Sequence, residues 1–355
     1  MTATSNNTSA VTGPSAPEPS QLDATLERLR AHKREFARLG PARKAELLRR
    51  VRARFYDRAE PMVELGNRAK GVTPGTPAAG EEWFSGPTVS LRALRTFEQA
   101  LNEVAQHGAP VIGDAQRGLS AHGRALVTLA PRDGYDAVLF PGWRAEGWFE
   151  AGVQPHEISR YQAGFYRQTA PEGHVVLVLG AGNVGSISVY DVLYHMFAEG
   201  GVCLLKMSPV NAYLGPLYEQ AFAPLIDKGY LAITYGGADI GRYLVEHAAV
   251  DSIHVTGSVD THDHIVWGPP GAEREQRQRD GRPLTQKRIT SELGNVSPVI
   301  VPPLRYTDAE LSAAARNVAG MFVNNAGFNC NAAKLLVTSR DWPQREDFGG
   351  ASARF

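Results

Sequence analysis

The sequence predicts an α/β fold, a doubly wound parallel sheet preceded by helices, and two patterns carry that prediction. Between residues 174 and 255, short apolar runs alternate with helical stretches, the order that parallel βαβ units leave in a chain. The runs are apolar throughout rather than at every second position, as in a sheet covered by helices on both faces. A length of 355 residues suits two domains better than one or three.

Residues 1–18 are mostly Ser, Thr, Asn, Ala and Pro, with too little apolar surface to offset the entropy of ordering, and are expected to be a disordered tail. From Ser20 onward, Leu22, Leu26, Leu29 and Phe36 follow one helical face, and Ser20 with Asp23 resembles a capping box. Gly40-Pro41 ends that helix and opens another, which Leu47, Leu48, Val51 and Phe55 continue to about Lys70. Arginines on its other face are interleaved with acids, which favours a solvated face over a nucleic-acid surface. Residues 71–162 scatter Pro, Gly and Trp83, Trp143 and Trp148 without a period, and read as mixed helix and loop. Strands are then expected at 175–179, 202–205, 231–235 and 252–255, with helices near 186–199, 213–227 and 240–247. The charged stretch 269–288 reads as a solvated surface loop.

Lys plus Arg and Asp plus Glu number 37 each, so no overall field favours nucleic acid, membrane or a strongly charged substrate. The implied partner is a small molecule. Two cysteines in unrelated contexts give neither a disulfide framework nor metal-type spacing, which fits a reducing compartment, and the cytoplasm is the expected location. No window reaches the ~18 apolar residues of a membrane span, and the N-terminus lacks the order of a signal peptide.

Chemistry concentrates at two positions. Cys330 lies among Gly327, Asn329, Asn331 and Ala332, a small and polar setting that keeps a thiol reachable, whereas Cys203 in Val202-Cys203-Leu204 reads as a small hydrophobe in a buried strand. Glu292, in Ser291-Glu292-Leu293-Gly294, offers a carboxylate to go with that thiol. Together they suggest covalent acyl chemistry. Gly180-Ala181-Gly182-Asn183-Val184-Gly185 sits between a strand and a helix and matches a dinucleotide fingerprint. The next strand, however, ends in Lys206-Met207-Ser208-Pro209 instead of the acid that would hold a ribose, so a tight strand-to-helix turn explains the glycines equally well. His262 and His264 could form a metal pair, but with only Asp263 beside them a local hydrogen-bonded turn is favoured.

Five segments in order, Gly182-Asn183, Leu205-Lys206, His254 to Ser258, Glu292-Leu293-Gly294 and Gly327 to Cys330, together resemble the aldehyde dehydrogenase superfamily. The runs 211–216 and 261–264 look like a bacterial branch of it. The resemblance implies a doubly wound cofactor-binding domain at 20–297 and the start of an α/β catalytic domain at 298–355. It implies Cys330 as nucleophile, Asn183 as oxyanion donor and Glu292, raised in pKa by partial burial, as general base. Lys206, Gly257, Ser258 and Leu293 would hold NAD or NADP, both admissible because Pro209 replaces a carboxylate that would repel a 2′-phosphate. The implied substrate is an aldehyde and the implied assembly a homo-oligomer.

Phe328, Asn295 and Lys334 depart from the family pattern without removing a reacting group. Only 25 residues follow Cys330, and helical patterning is lost at Gly349, so the sequence suggests a truncated member with strand faces near Val299 and Leu335 left uncovered. A non-catalytic remnant retaining nucleotide binding, and an acyl-thioester reductase in which Glu292 is idle, are the alternatives.

Overall fold

A computed structural model describes residues 12–354. The part of the expected tail at residues 1–11 lies outside these, and residues 12–18 are irregular. The four expected strands are present in one parallel sheet, and a fifth, at Arg288–Leu293, was not expected. Strands β4 (Val175–Leu179), β5 (Val202–Lys206), β6 (Leu231–Thr234), β7 (Ser252–Gly257) and β8 (Arg288–Leu293) are all parallel, in the order β6-β5-β4-β7-β8. Val175 to Val178 and Val202 to Leu205 are each at most 1% exposed, the physical counterpart of their unbroken apolar runs.

Helices α7 (Gly185–Leu193, prolonged by a π-turn at Tyr194–Ala198) and α8 (Gly215–Ile226) make the crossovers β4 to β5 and β5 to β6. α9 (Ala238–Glu246) returns the chain to β7 on the far side of β4, so right-handed crossovers place it on the opposite face. α1 (Pro19–Arg38) shares that face: it packs on β4, β5 and β6, and its Asp23 accepts a hydrogen bond from Tyr243 of α9. Leu22, Leu26, Leu29 and Phe36 are its buried stripe, each burial contributing roughly 1.5–3 kcal/mol. Its cap differs from expectation. Gln21 Oε1 accepts the Glu18 N–H at 3.0 Å, because Pro19 already stands at the first helical position, inside which Ser20 cannot cap.

The second helical stretch is two helices, α2 (Pro41–Tyr56) and α3 (Ala59–Ala69), broken at Asp57-Arg58. α4 (Pro77–Trp83) and the 19-residue α5 (Val89–His107) follow, and α2 and α5 overlay α7 and α8. Expecting unperiodic structure at 71–162 missed α5 and an antiparallel sheet, β1 (Arg117–Leu119), β2 (Ala125–Ala130) and β3 (Ala145–Trp148), to which the short α6 (Gly134–Leu139) is connected.

Lys44 of α2 is fully buried, and its Nζ lies 4.6 Å from the ring centroids of Phe36 and Phe165 and 5.0 Å from that of Tyr166. No hydrogen-bond acceptor reaches it among the described residues. Desolvation pushes the amine down to about 7 from 10.5 while the ring faces oppose that shift. Because the folded pKa lies below the unfolded one, the stability from a neutral Lys44 is complete above 10.5 and is lost as pH falls toward 7. Lys44→Met is therefore expected to flatten that slope and raise stability by about 1–3 kcal/mol at neutral pH, read by urea denaturation at several pH values.

Beyond β7 come α10 (Val259–Val266) and α11 (Ala272–Asp280). The second corrects the expected loop at 269–288: it is a helix with no buried residue, supported by ion pairs such as Arg277 to Glu273 at 2.8 Å. His262 bonds to Asp263 at 3.0 Å within α10, and no group of three or more potential metal ligands occurs among the described residues. Among them, too, no helix is long and apolar enough to cross a membrane.

The last unit comprises β9 (Pro298–Val301), α12 (Asp308–Val323), β10 (Leu335–Thr338) and α13 (Arg345–Ser352), with β9 and β10 paired in parallel. Its core is Val301, Leu311, Ala315, Val318, Trp342 and Phe348. α13 runs through Gly349-Gly350, against expectation, because Phe348 and Ala351 are buried there. The expected exposure of the strands is half met: Val299 and Val301 face the core, while Ile300, Leu335 and Val337 remain 72%, 48% and 40% exposed.

Candidate active site

Open α/β sheets bind ligands at the carboxyl ends of their strands, where the strand order reverses, and here the reversal falls between β4 and β7. Asn183 follows β4, Lys206 ends β5, Gly257 ends β7, and Glu292 and Leu293 end β8 beside Thr256 and Gly257. All of the expected residues that precede Cys330 thus share one rim.

The turn after β4 is tight for steric reasons. A Cβ at Gly180 would stand 2.6 Å from Ser188 Oγ, and one at Gly182 would stand 2.7 Å from Ser208 Oγ. This supports the close-packing explanation of the glycines. Asn183, half-buried at the end of that turn, donates its Nδ2–H to the Phe328 carbonyl at 2.8 Å. Asn325 Nδ2 in return donates to the Asn183 carbonyl at 2.9 Å. The turn and the loop that precedes Cys330 are thereby tied together, although 145 residues separate Asn183 from Phe328.

Cys330 is half-buried, with its Sγ 3.6 Å from Asn329 Oδ1. Cys203 is completely buried, and desolvation pushes its thiol well above the ordinary thiol range. Lys334, four residues beyond Cys330, holds the loop's end: its Nζ donates to the carbonyls of Gly327 at 2.6 Å and Ala332 at 3.0 Å. Its N–H donates to Val296 O at 3.0 Å, which brings the segment after Cys330 against the segment after Glu292. Glu292 itself is exposed, which corrects the expected partial burial. Among the described residues, no further strand lies beside β8 to cover that end.

Lys206 is 7% exposed, and its Nζ makes one long hydrogen bond, to Met207 O at 3.4 Å. Burial lowers its amine and Asp239 opposes that shift. A buried ammonium so weakly paired has donors to spare for an acceptor arriving at the rim. Ser258 caps α10, with Oγ accepting the Thr261 N–H at 3.1 Å. The sequence reading overlooked Asn325. The turn-forming composition Asn324-Asn325-Ala326-Gly327 was its available signal.

Residues 152–345 match the aldehyde dehydrogenase family. The chain belongs to that family. A 1-pyrroline-5-carboxylate dehydrogenase of Oceanobacillus iheyensis is 31% identical over 189 residues, 52% of this chain and 33% of that protein. An NADP-dependent glyceraldehyde-3-phosphate dehydrogenase of Streptococcus equinus is 31% identical over 141 residues, 39% of this chain and 26% of that one. The aldehyde dehydrogenase KauB from Pseudomonas aeruginosa shares the fold, with a TM-score of 0.60 and 18% identity, covering 96% of this chain and 55% of its own. This aldehyde dehydrogenase family chain spans about half the length of the solved structures it matches.

Proposed function

We propose that the rim oxidises an aldehyde to a carboxylic acid through a covalent Cys330 intermediate, with NAD or NADP as the hydride acceptor. The observation that carries this reading is the Asn183 to Phe328 contact, which seats an amide donor beside the nucleophile loop. An amide NH₂ has two donors, and Phe328 takes one. The second is free for the oxyanion formed when the Cys330 thiolate adds to the carbonyl carbon, with the Cys330 N–H as partner. NAD(P), when bound, accepts the hydride. Cys330 then carries a thioester, which water activated by Glu292 cleaves to release acid and thiol.

Lys206 fits the ribose side of such a cofactor, since its buried amine is under-partnered, and the α10 N-terminus at Gly257-Ser258 fits the pyrophosphate. Leu293 would lie against the nicotinamide end. The carboxylate that would exclude a 2′-phosphate is replaced by Pro209, so both cofactors enter the test. The purified chain, offered a panel of aldehydes with NAD and with NADP, is expected to generate reduced nicotinamide. A Cys330 acyl adduct should also be detectable by peptide mass spectrometry. Absence of both with every aldehyde would overturn the proposal.

A further inference from the structure

We infer that Asn325 is a positioning residue for the Cys330 loop, fixed in place by Lys70 and Glu81 from the helices that precede the sheet. The inference rests on the reading of Cys330 as nucleophile. Asn325 is only 6% exposed, and all of its polar groups are engaged. Its Oδ1 accepts from Lys70 Nζ at 2.8 Å, its Nδ2 donates to Asn183 O at 2.9 Å, its N–H donates to Glu81, and its carbonyl accepts the Phe328 N–H at 2.9 Å. Lys70 can only donate, which settles the orientation of the amide. Lys70 is itself held by Glu82, a buried carboxylate, at 2.6 Å.

The backbone explains why such an anchor is needed. Asn325, Ala326 and Gly327 have φ of 50°, 51° and 80°, three successive left-handed residues. Alanine disfavours that region, and asparagine tolerates it only when local hydrogen bonds compensate. A segment of this kind persists where its surroundings over-determine it. Here the surroundings come from α4, from Lys70 just after α3, and from the turn that carries Asn183. Asn325 donates to the Asn183 backbone while the Asn183 side chain donates to Phe328, so one reciprocal pair sets the oxyanion donor and the nucleophile loop together.

The test compares Lys70→Met, Lys70→Arg and Asn325→Gly with the unaltered chain. Glycine keeps the left-handed backbone and deletes only the side-chain bonds. The rate of Cys330 alkylation by iodoacetamide is followed across pH, with Cys203 labelling and thermal melting as controls. Lys70→Met and Asn325→Gly are expected to change the Cys330 rate by at least about fivefold, with Lys70→Arg close to the unaltered chain and Cys203 still protected. Unchanged Cys330 rates in both variants would overturn the inference, as would a loss in Lys70→Met that arginine does not restore, or parallel labelling of Cys203. The nucleophile reading fails differently: aldehyde oxidation would survive Cys330→Ala while loop reactivity still responded to Lys70.

Discussion

Cys330→Ala is expected to abolish turnover, by about 10⁴-fold or more, and to leave no acyl adduct on the chain. The size follows from covalent catalysis, in which the sulfur is the reacting atom and not one contributor among several. Asn183 and Glu292 would remain in place, but a donor without an oxyanion and a base without a thioester have nothing to act on. Cys203 cannot substitute. It is wholly enclosed within the interior strand β5, and its buried thiol resists ionisation. Cofactor binding, followed by fluorescence, should be unchanged because Lys206 and Ser258 lie at the ends of other elements. Turnover that persisted in this variant would remove Cys330 from the mechanism.

The second large effect concerns Asp136, a carboxylate in α6 with no solvent exposure. Arg92 grips it with two hydrogen bonds of 2.7 Å, the Arg132 N–H donates at 2.9 Å, and Arg95 lies at 3.8 Å. The Arg92 bonds hold the carboxyl below the usual carboxylate range. Asp136→Ala would leave Arg92 partly buried without its counter-charge and is expected to cost about 3–5 kcal/mol, measured by urea denaturation. Because the folded pKa is depressed, this contribution is present above the ordinary value of 3.8 and disappears as pH falls through the folded one. An Asp136→Ala chain as stable as the parent would show that α5 and α6 are held by apolar packing alone.

β4 and β5 were legible because they are buried along nearly their whole length, so each is a short apolar run that needs no context to be seen, whereas β8 has no buried residue and carries no such run. α1 was legible for the same reason, through one unbroken stripe from Leu22 to Phe36. α5 was not, since its buried positions include Ser90 and Ala93, and its neighbour Pro87 lies within a π-turn at Phe84–Thr88. β1 and β3 have no buried residue, so no alternation marks them. α13 contradicts local preference outright. Two adjacent glycines weaken a helix by about 1 kcal/mol each, and burial of Phe348 against Trp342 outweighs them. At the site, residue types revealed the thiol, the acid and the amide. The link from Lys70 through Asn325 to Asn183 was hidden, because it depends on contacts between residues 255 and 142 positions apart.

The two cysteines divide cleanly by environment: one is reachable beside Asn329, the other sealed inside the sheet. Folded molecules should therefore take up a single equivalent of a thiol reagent in a short pulse, and unfolded molecules two. The chain thus carries an internal gauge of its own integrity. Any variant can be sorted into lost chemistry or lost structure by counting labels, with no substrate in the tube.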